Sequence, residues 1–325
     1  MPSGAGTDIR LGRIAMGGRI PRPDLAGLPL RPRTRFAPAP TGFLHLGHVA
    51  NALWVWGLAR VLGGRVLLRI EDHDRTRSRA RYETALLEDL GWLGFTADDG
   101  PVRQSDDEAP YLEALGVLRR RGVVYGCGCS RASFTMWTTE HGRSWQGPGC
   151  PGACRGRGLD GPVLRVAMDD GEETWQDGQL GHQAGAVAPA GDPVIRNRAG
   201  NWSYALSVVV DDLRQGVDLV VRGEDLRAAT PGQLRLRRLL SSGGGKPPVV
   251  GGKPPVFVHH PLIRRPNGRK LSKSAGDTGV RDLRAAGSGA GEIIGMAALA
   301  VGLLEGQRSI QAADVASLFE PISSS

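Results

Sequence analysis

The sequence predicts an α/β protein built on a parallel sheet, with a cysteine-bearing module inserted into it and a short helical C-terminal region. Three observations point there. Residues 33–70 read strand, turn, helix, strand, which is one βαβ unit. Apolar runs at 217–222 and 257–263 resume the strand pattern far downstream. Between the two, all four cysteines of the 325-residue chain fall within 28 residues.

Residues 1–32, rich in Gly, Pro and Arg without periodicity, read as a disordered leader. Arg33 to Ala37 is a short strand candidate, followed by a turn at Pro38, Pro40 and Gly42. A helix is expected from about Leu46 to Leu62, where Val49, Leu53, Trp56 and Leu62 have helical spacing before Gly63-Gly64. Val66 to Ile70 suits a buried parallel strand. Helices follow at about 78–91 and 107–121, and the Gly- and Trp-rich stretch 126–158 interrupts the pattern. The inserted module is taken as 126–192, separating a first half of the sheet domain (33–125) from a second (193–276), with 277–325 helical. Val163 to Val166, Pro193 to Arg196, the run Ala205 to Val210 and Val217 to Arg222 are grouped as strands, before a helix at about 230–240. By composition 241–255 is a flexible loop. Phe257 to Ile263, a loop at 267–276 and helical segments at 292–304 and 310–319 complete the chain.

Composition excludes a membrane-spanning helix, because no apolar run approaches the ~20 residues it needs. The net charge is +8, but seven arginines against two aspartates put +5 in residues 1–35, so charge alone makes a weak case for a polyanionic partner. The chain has 37 Arg and 4 Lys, and two of the lysines, Lys270 and Lys273, stand three apart. No continuous apolar export segment is visible, so a cytoplasmic setting is expected, where thiols favour metal over disulfide. Cys127, Cys129, Cys150 and Cys154 form two close pairs able to close a tetrahedral thiolate site, and structural zinc is preferred to free thiols. Four ligands leave no open position for catalysis.

The turn PTGFLHLGH (40–48) ends a strand and opens a helix, where backbone N–H groups and the positive helix end suit an anion. Gly42 and Gly47 let a phosphate chain approach, and His45 and His48 add donors for charge developing on a phosphoryl group. A satisfied surface histidine pair is the plain alternative. The loop KLSKS (270–274) suits clamping a triphosphate whose pyrophosphate must leave, and a solvated basic loop is the alternative there.

Taken together, HLGH and KLSKS resemble the paired signatures of the class I aminoacyl-tRNA synthetases. RTRFAPAPTGFLHLGH, LLRIEDHD, GWLGF, YALSVVVDD, VVRGEDL, TPGQ and KLSKS follow the order of the glutamyl-tRNA synthetase catalytic core over about 33–276. Only about 50 residues follow KLSKS, fewer than the family's anticodon-reading domain needs, so the chain resembles the truncated glutamyl-Q paralogs. The spelling EDHDR (71–75) and Val208, where full-length enzymes have Asn, agree. The resemblance implies a Rossmann-like catalytic domain and an ATP-dependent aminoacyl ligase. Glutamate and ATP, with Mg2+, give glutamyl-adenylate, and the glutamyl group passes to queuosine in the anticodon loop of tRNA(Asp). Aminoacylation of a tRNA 3′ end and a catalytically silent, zinc-stabilised RNA-binding paralog are the alternatives. A monomer is expected.

By the same resemblance, ATP is met by Gly47, His48 and Lys273, with His45, His48, Lys270 and Lys273 catalytic. Glutamate is met by Arg35, Ala39, Glu71, Tyr204 and Arg222, the arginines pairing its carboxylates and Glu71 its ammonium. Without the resemblance each of these side chains reads as an ordinary ion pair or core residue. Ala39 departs from the family's Ser, which removes a hydroxyl contact. The family's third metal ligand is Tyr, and Cys150 stands there. Asp72 and Asp74 beside His73 read as loop-holding hydrogen bonders rather than metal ligands, and Asp211 and Asp212 as polar groups near the pocket floor.

Overall fold

The computed structural model describes residues 20–142, 145, 147, 149–161, 163–241, 253–265, 267–268, 271 and 279–320. Lys270 and Lys273, residues 242–252 of the 241–255 loop and residues 1–19 of the leader lie outside the described residues. The first unit runs β1 (Arg33–Phe36), α1 (Leu46–Val61), β2 (Arg65–Ile70), α2 (Ala80–Leu93) and β3 (Asp99–Arg103). Next come α3 (Ala109–Arg120), β4 (Val124–Cys127), α4 (Arg131–His141), β5 (Val163–Val166), β6 (Glu172–Asp177), β7 (Gly181–Ala186) and β8 (Val194–Arg196). The chain continues through α5 (Tyr204–Arg214), β9 (Leu219–Gly223), α6 (Thr230–Ser241), β10 (Val256–His260), α7 (Val280–Ala285) and α8 (Ala290–Ala300). A 3-10 segment, Ala312–Leu318, follows.

β1, β2 and β3 form a parallel sheet, with Arg33 opposite Arg65 and Phe36 opposite Leu68. A second sheet has the order β7-β6-β10-β9, parallel except for the β6/β7 hairpin. The sheets meet where the Arg33 N–H donates to Asp218 Oδ1 at 2.8 Å and the Asp218 N–H to the Arg33 carbonyl at 3.1 Å. The mixed α/β fold with parallel strands is as the sequence predicts. α1 is buried nearly all round, as its even hydrophobicity requires. Trp54 packs edge-on against Phe319 with centroids 5.0 Å apart, and a Cβ on Gly57 would collide with the same Phe319 ring.

Two features depart from the sequence reading. Residues 205–210 are helical, within α5, not a strand: the Ser203 hydroxyl caps the helix by accepting from the Leu206 N–H at 3.3 Å. Leu206, Val209, Val210 and Leu213 then make one buried face at helical spacing, which outweighs the strand preference of the valine run. Residues 172–186, inside the 126–192 segment, form the β6/β7 hairpin of the second sheet, whereas β4, β5 and β8 make a separate antiparallel sheet. The inward side of β6 carries Glu173, Trp175 and Asp177, so its alternation gives little apolar signal. Among the described residues no helix is long and apolar enough to cross a membrane.

Candidate active site and cysteine cluster

The turn after β1 delivers His45 as the N-cap of α1. The Gly47 N–H donates to His45 Nδ1 at 3.1 Å, and the His45 N–H donates to His48 Nδ1 at 3.1 Å. Both Nδ1 atoms therefore accept, which places the proton of each neutral ring on Nε2 as a donor. The rings lie 4.0 Å apart, and a Cβ on Gly47 would stand 2.9 Å from His45 Cε1, so this position has little room beyond glycine. Ala39, His45, Gly47 and His48 line a cleft of about 800 Å³ that also reaches Asp225, His260 and Asp282.

Beside it, β1, the end of β2, the start of α5 and β9 bring Arg35, Glu71, Tyr204 and Arg222 into one electrostatic group. Arg35 donates Nε–H to Asp212 Oδ1 at 3.0 Å and from its terminal nitrogen to the Val221 carbonyl at 3.2 Å, next to Arg222 in the chain. Burial pushes the Tyr204 phenol above its ordinary range, with Arg222, Glu71, Arg35 and Asp212 all acting on it. Burial also raises the Glu71 carboxyl, against the pull of Arg69, His73 and Arg35. Asp212 is held low: burial works to raise it, but Arg35 and Arg69 prevail.

The sequence reading missed Arg69. It is fully buried, donating at 2.8 Å to both Asp212 and Gln215, and it stands 3.4 Å from Glu71 and 3.9 Å from Asp211. A lone arginine inside the apolar strand VLLRI is the signal that could have found it, because a buried charge demands partners. The mooring of Arg222 was also missed. Its Nε–H donates to His259 Nε2 at 3.1 Å, and its terminal nitrogens donate to Gln233 Oε1 at 2.6 Å and Thr230 Oγ1 at 2.7 Å. His259 Nδ1 in turn lies 2.5 Å from Asp177 Oδ2, which fixes a neutral ring protonated at Nδ1. Burial pushes His259 below the usual histidine range despite Asp177. β9 and β10 set this contact, since Arg222 and His259 are register partners. Thr230 and Gln233 come from the TPGQ turn that opens α6.

Asp74 holds its own loop, accepting from the Thr76 N–H at 3.1 Å and hydroxyl at 2.6 Å, and Asp72 reaches across to Ser105. Asp211 is taken up by Tyr111, Gln104 and Arg214. Val208 is buried in the apolar cluster around Trp202.

The four cysteines are free thiols drawn together, with ligand atoms within 4.8 Å of one another. Cys129 Sγ is 3.3 Å from Cys154 and 3.7 Å from Cys150, and Cys127 is 3.8 Å from Cys154. A tetrahedral zinc with bonds of about 2.3 Å needs sulfur–sulfur edges of about 3.8 Å, so the set fits a four-thiolate metal. The Cys129 N–H donates to Cys127 Sγ at 3.4 Å. Cys150 bridges to Asp192, which is itself gripped by Tyr125 at 2.6 Å and by Arg155.

The chain is similar to known proteins over most of its length. Residues 32–143 match the family described as tRNA synthetases class I (E and Q), catalytic domain. The chain is 38% identical over 305 residues to the Glutamyl-Q tRNA(Asp) synthetase of Symbiobacterium thermophilum, covering 88% of this chain and 91% of that protein. It is 40% identical over 280 residues to the one from Rhodobacter capsulatus, covering 80% and 97%. A crystal structure of a glutamate tRNA ligase from Elizabethkingia meningosepticum in complex with its amino acid superposes with a TM-score of 0.69 at 23% identity, over 90% of this chain and 65% of that one. The fold is that of a class I tRNA synthetase. Within that class, the chain belongs to the glutamyl-Q tRNA(Asp) synthetase family.

Proposed function

We propose that the protein activates L-glutamate with ATP and transfers the glutamyl group to queuosine in the anticodon loop of tRNA(Asp). The observation that carries this reading is the convergence of Arg35, Glu71, Tyr204 and Arg222 beside a cleft headed by His45 and His48. The names of relatives that the chain matches along 91% and 97% of their length support the choice of acceptor.

Arg222, held on three sides, and Arg35 are the cations for the two carboxylates of glutamate, and Glu71 takes its ammonium. The α-carboxylate attacks the α-phosphorus of ATP, which arrives as its magnesium complex, and pyrophosphate leaves. The Nε2–H groups of His45 and His48 donate to the charge that develops in that displacement. Lys270 and Lys273, outside the described residues, are assigned to the leaving pyrophosphate. A hydroxyl of the queuosine cyclopentene diol then attacks the acyl carbon and AMP departs. Ala39 supplies no hydroxyl, so among these candidates glutamate is held by the charged groups and the Tyr204 phenol. Cys127, Cys129, Cys150 and Cys154 would hold a structural zinc ion, which would cross-link β4 to the segment around Cys150 and leave the chemistry to the cleft residues.

The test is glutamate-dependent ATP–pyrophosphate exchange without tRNA, followed by glutamylation of queuosine-containing tRNA(Asp), queuosine-free tRNA(Asp) and tRNA(Glu). Exchange with transfer to the first RNA alone is expected. Transfer to the 3′ end of tRNA(Glu) overturns the acceptor assignment, and no exchange overturns the whole reading.

A further inference from the structure

Many arginines of the described residues face carboxylates: Arg60 pairs with Asp98, Arg103 with Glu83, Arg264 with Glu224. The stretch DRTRSRAR (74–81) does otherwise. Arg75, Arg77, Arg79 and Arg81 are all exposed, and none lies within ion-pair distance of a described carboxylate. The bonds that three of them make go to neutral oxygens: Arg75 to the Ser105 carbonyl at 3.4 Å, Arg79 to the Ser78 carbonyl at 2.8 Å, Arg81 to the Tyr82 hydroxyl at 3.0 Å.

Position gives this charge a use. Arg77 and Tyr82 stand on the wall of the 800 Å³ cleft. Arg75 and Arg79 line an open hollow of about 460 Å³ that meets the cleft at the 39–41 turn, with Pro40 in the hollow and Ala39 and Thr41 in the cleft; the hollow's two carboxylates are engaged elsewhere, Asp72 by Ser105 and Glu83 by Arg103. Aromatic surface interleaves with the cations at the mouth. Phe43 is 45% exposed, packs edge-on against Tyr82 with centroids 5.0 Å apart and has the Arg281 guanidinium 5.6 Å from its centroid over the ring, while the Arg81 guanidinium lies 4.7 Å above the Tyr82 ring. A charge run alone reads as a solvated face. Cations that make no ion pair with a described carboxylate, beside a half-exposed aromatic ring and opening onto the cleft, match the chemistry of looped RNA, whose phosphates pair with arginine and whose unstacked bases lie on aromatic faces.

We infer that Arg75, Arg79 and Arg81 hold backbone phosphates of the acceptor RNA at the mouth of the cleft, and that Phe43 is the platform for an unpaired base. The inference rests on the reading above that an RNA is the glutamyl acceptor, and it adds the surface that receives it.

The test is binding of fluorescein-labelled tRNA(Asp) by anisotropy across salt, for wild type and the triple variant Arg75→Gln, Arg79→Gln, Arg81→Gln. Three single-strand phosphate contacts lower the slope of log affinity against log salt by about 2, so the wild-type advantage shrinks about 16-fold between about 50 and about 200 mM. ATP–pyrophosphate exchange of the variant stays at the wild-type level. Phe43→Ala binds about five- to a hundredfold more weakly with its salt slope unchanged. If the triple variant fails to fold, each single substitution lowers the slope by about 0.7. An unchanged slope in the triple, or in all three singles, overturns the inference, as does failure of the wild type to bind either tRNA(Asp) or tRNA(Glu). A wild type that binds tRNA(Asp) with the steep slope yet glutamylates none of it overturns the proposed function and leaves this surface standing.

Discussion

Replacing Arg69 with Met would remove the cation that Asp212, Glu71 and Asp211 share in the interior. Arg69 is fully buried and its 2.8 Å bonds run to Asp212 and Gln215, so no water takes its place. Deleting one partner of a buried charge network costs about 3–5 kcal/mol. For 325 residues the unfolding entropy is about 0.7 kcal/mol per degree, so Arg69→Met should lower Tm by about 4–7 °C. The deficit has a defined pH dependence. Without Arg69 the folded-state pKa values of Asp212 and Glu71 rise, and a raised carboxyl favours the folded state at low pH and loses that contribution as pH rises through its folded value. The deficit is therefore largest near neutral pH and narrows toward about pH 5. Urea or thermal unfolding at both pH values reads it. A Tm within about 1 °C of wild type, or a deficit as large in acid as at neutrality, would mean that Arg69 does not hold this carboxylate group together.

Other outcomes follow from the same geometry. The purified protein should carry one zinc per chain by elemental analysis and lose thermal stability in a chelator, and Cys154→Ser should carry far less; insensitivity to chelation excludes a structural metal. His259→Leu leaves the buried Arg222 Nε–H without its acceptor, a loss of about 1.5–3 kcal/mol that should raise KM for glutamate about 10- to 100-fold with a smaller change in kcat. An unchanged KM would detach His259 from the pocket. Burial holds His260 down at about 4, so between about pH 6.5 and about 4 the unfolded chain binds the extra proton and stability falls by about 3 kcal/mol as pH drops. His260→Gln should lose that part of the acid slope, and an identical slope in the variant would contradict it.

Motifs whose chemistry depends on local spacing were legible in the sequence. HLGH places two imidazoles at one helix start because an N-cap and its third following residue face each other, and the cysteine pairs close because each lies in a tight local stretch. Arg35, Glu71, Tyr204 and Arg222 were singled out only through resemblance, since nothing local distinguishes them from paired core residues. What supports them was hidden for physical reasons. Arg69 and His259 matter through partners 143 and 82 residues away, Asp212 and Asp177. Residues 204–214 carry a valine run whose strand preference is overridden by the Ser203 cap and one buried face. β3 (DGPVR) and β6 (EETWQD) contain turn formers or inward charges in place of apolar alternation.

One pocket must bring glutamate and ATP together, and a crystal structure with L-glutamate and a non-hydrolysable ATP analogue tests that directly. The side-chain and main-chain carboxylates should be shared between Arg35 and Arg222, the ammonium should face Glu71, and the phosphates should lie over Gly47 within reach of His45 and His48. Glutamate seated away from Arg35 and Arg222, or phosphates outside the cleft at the start of α1, would contradict it.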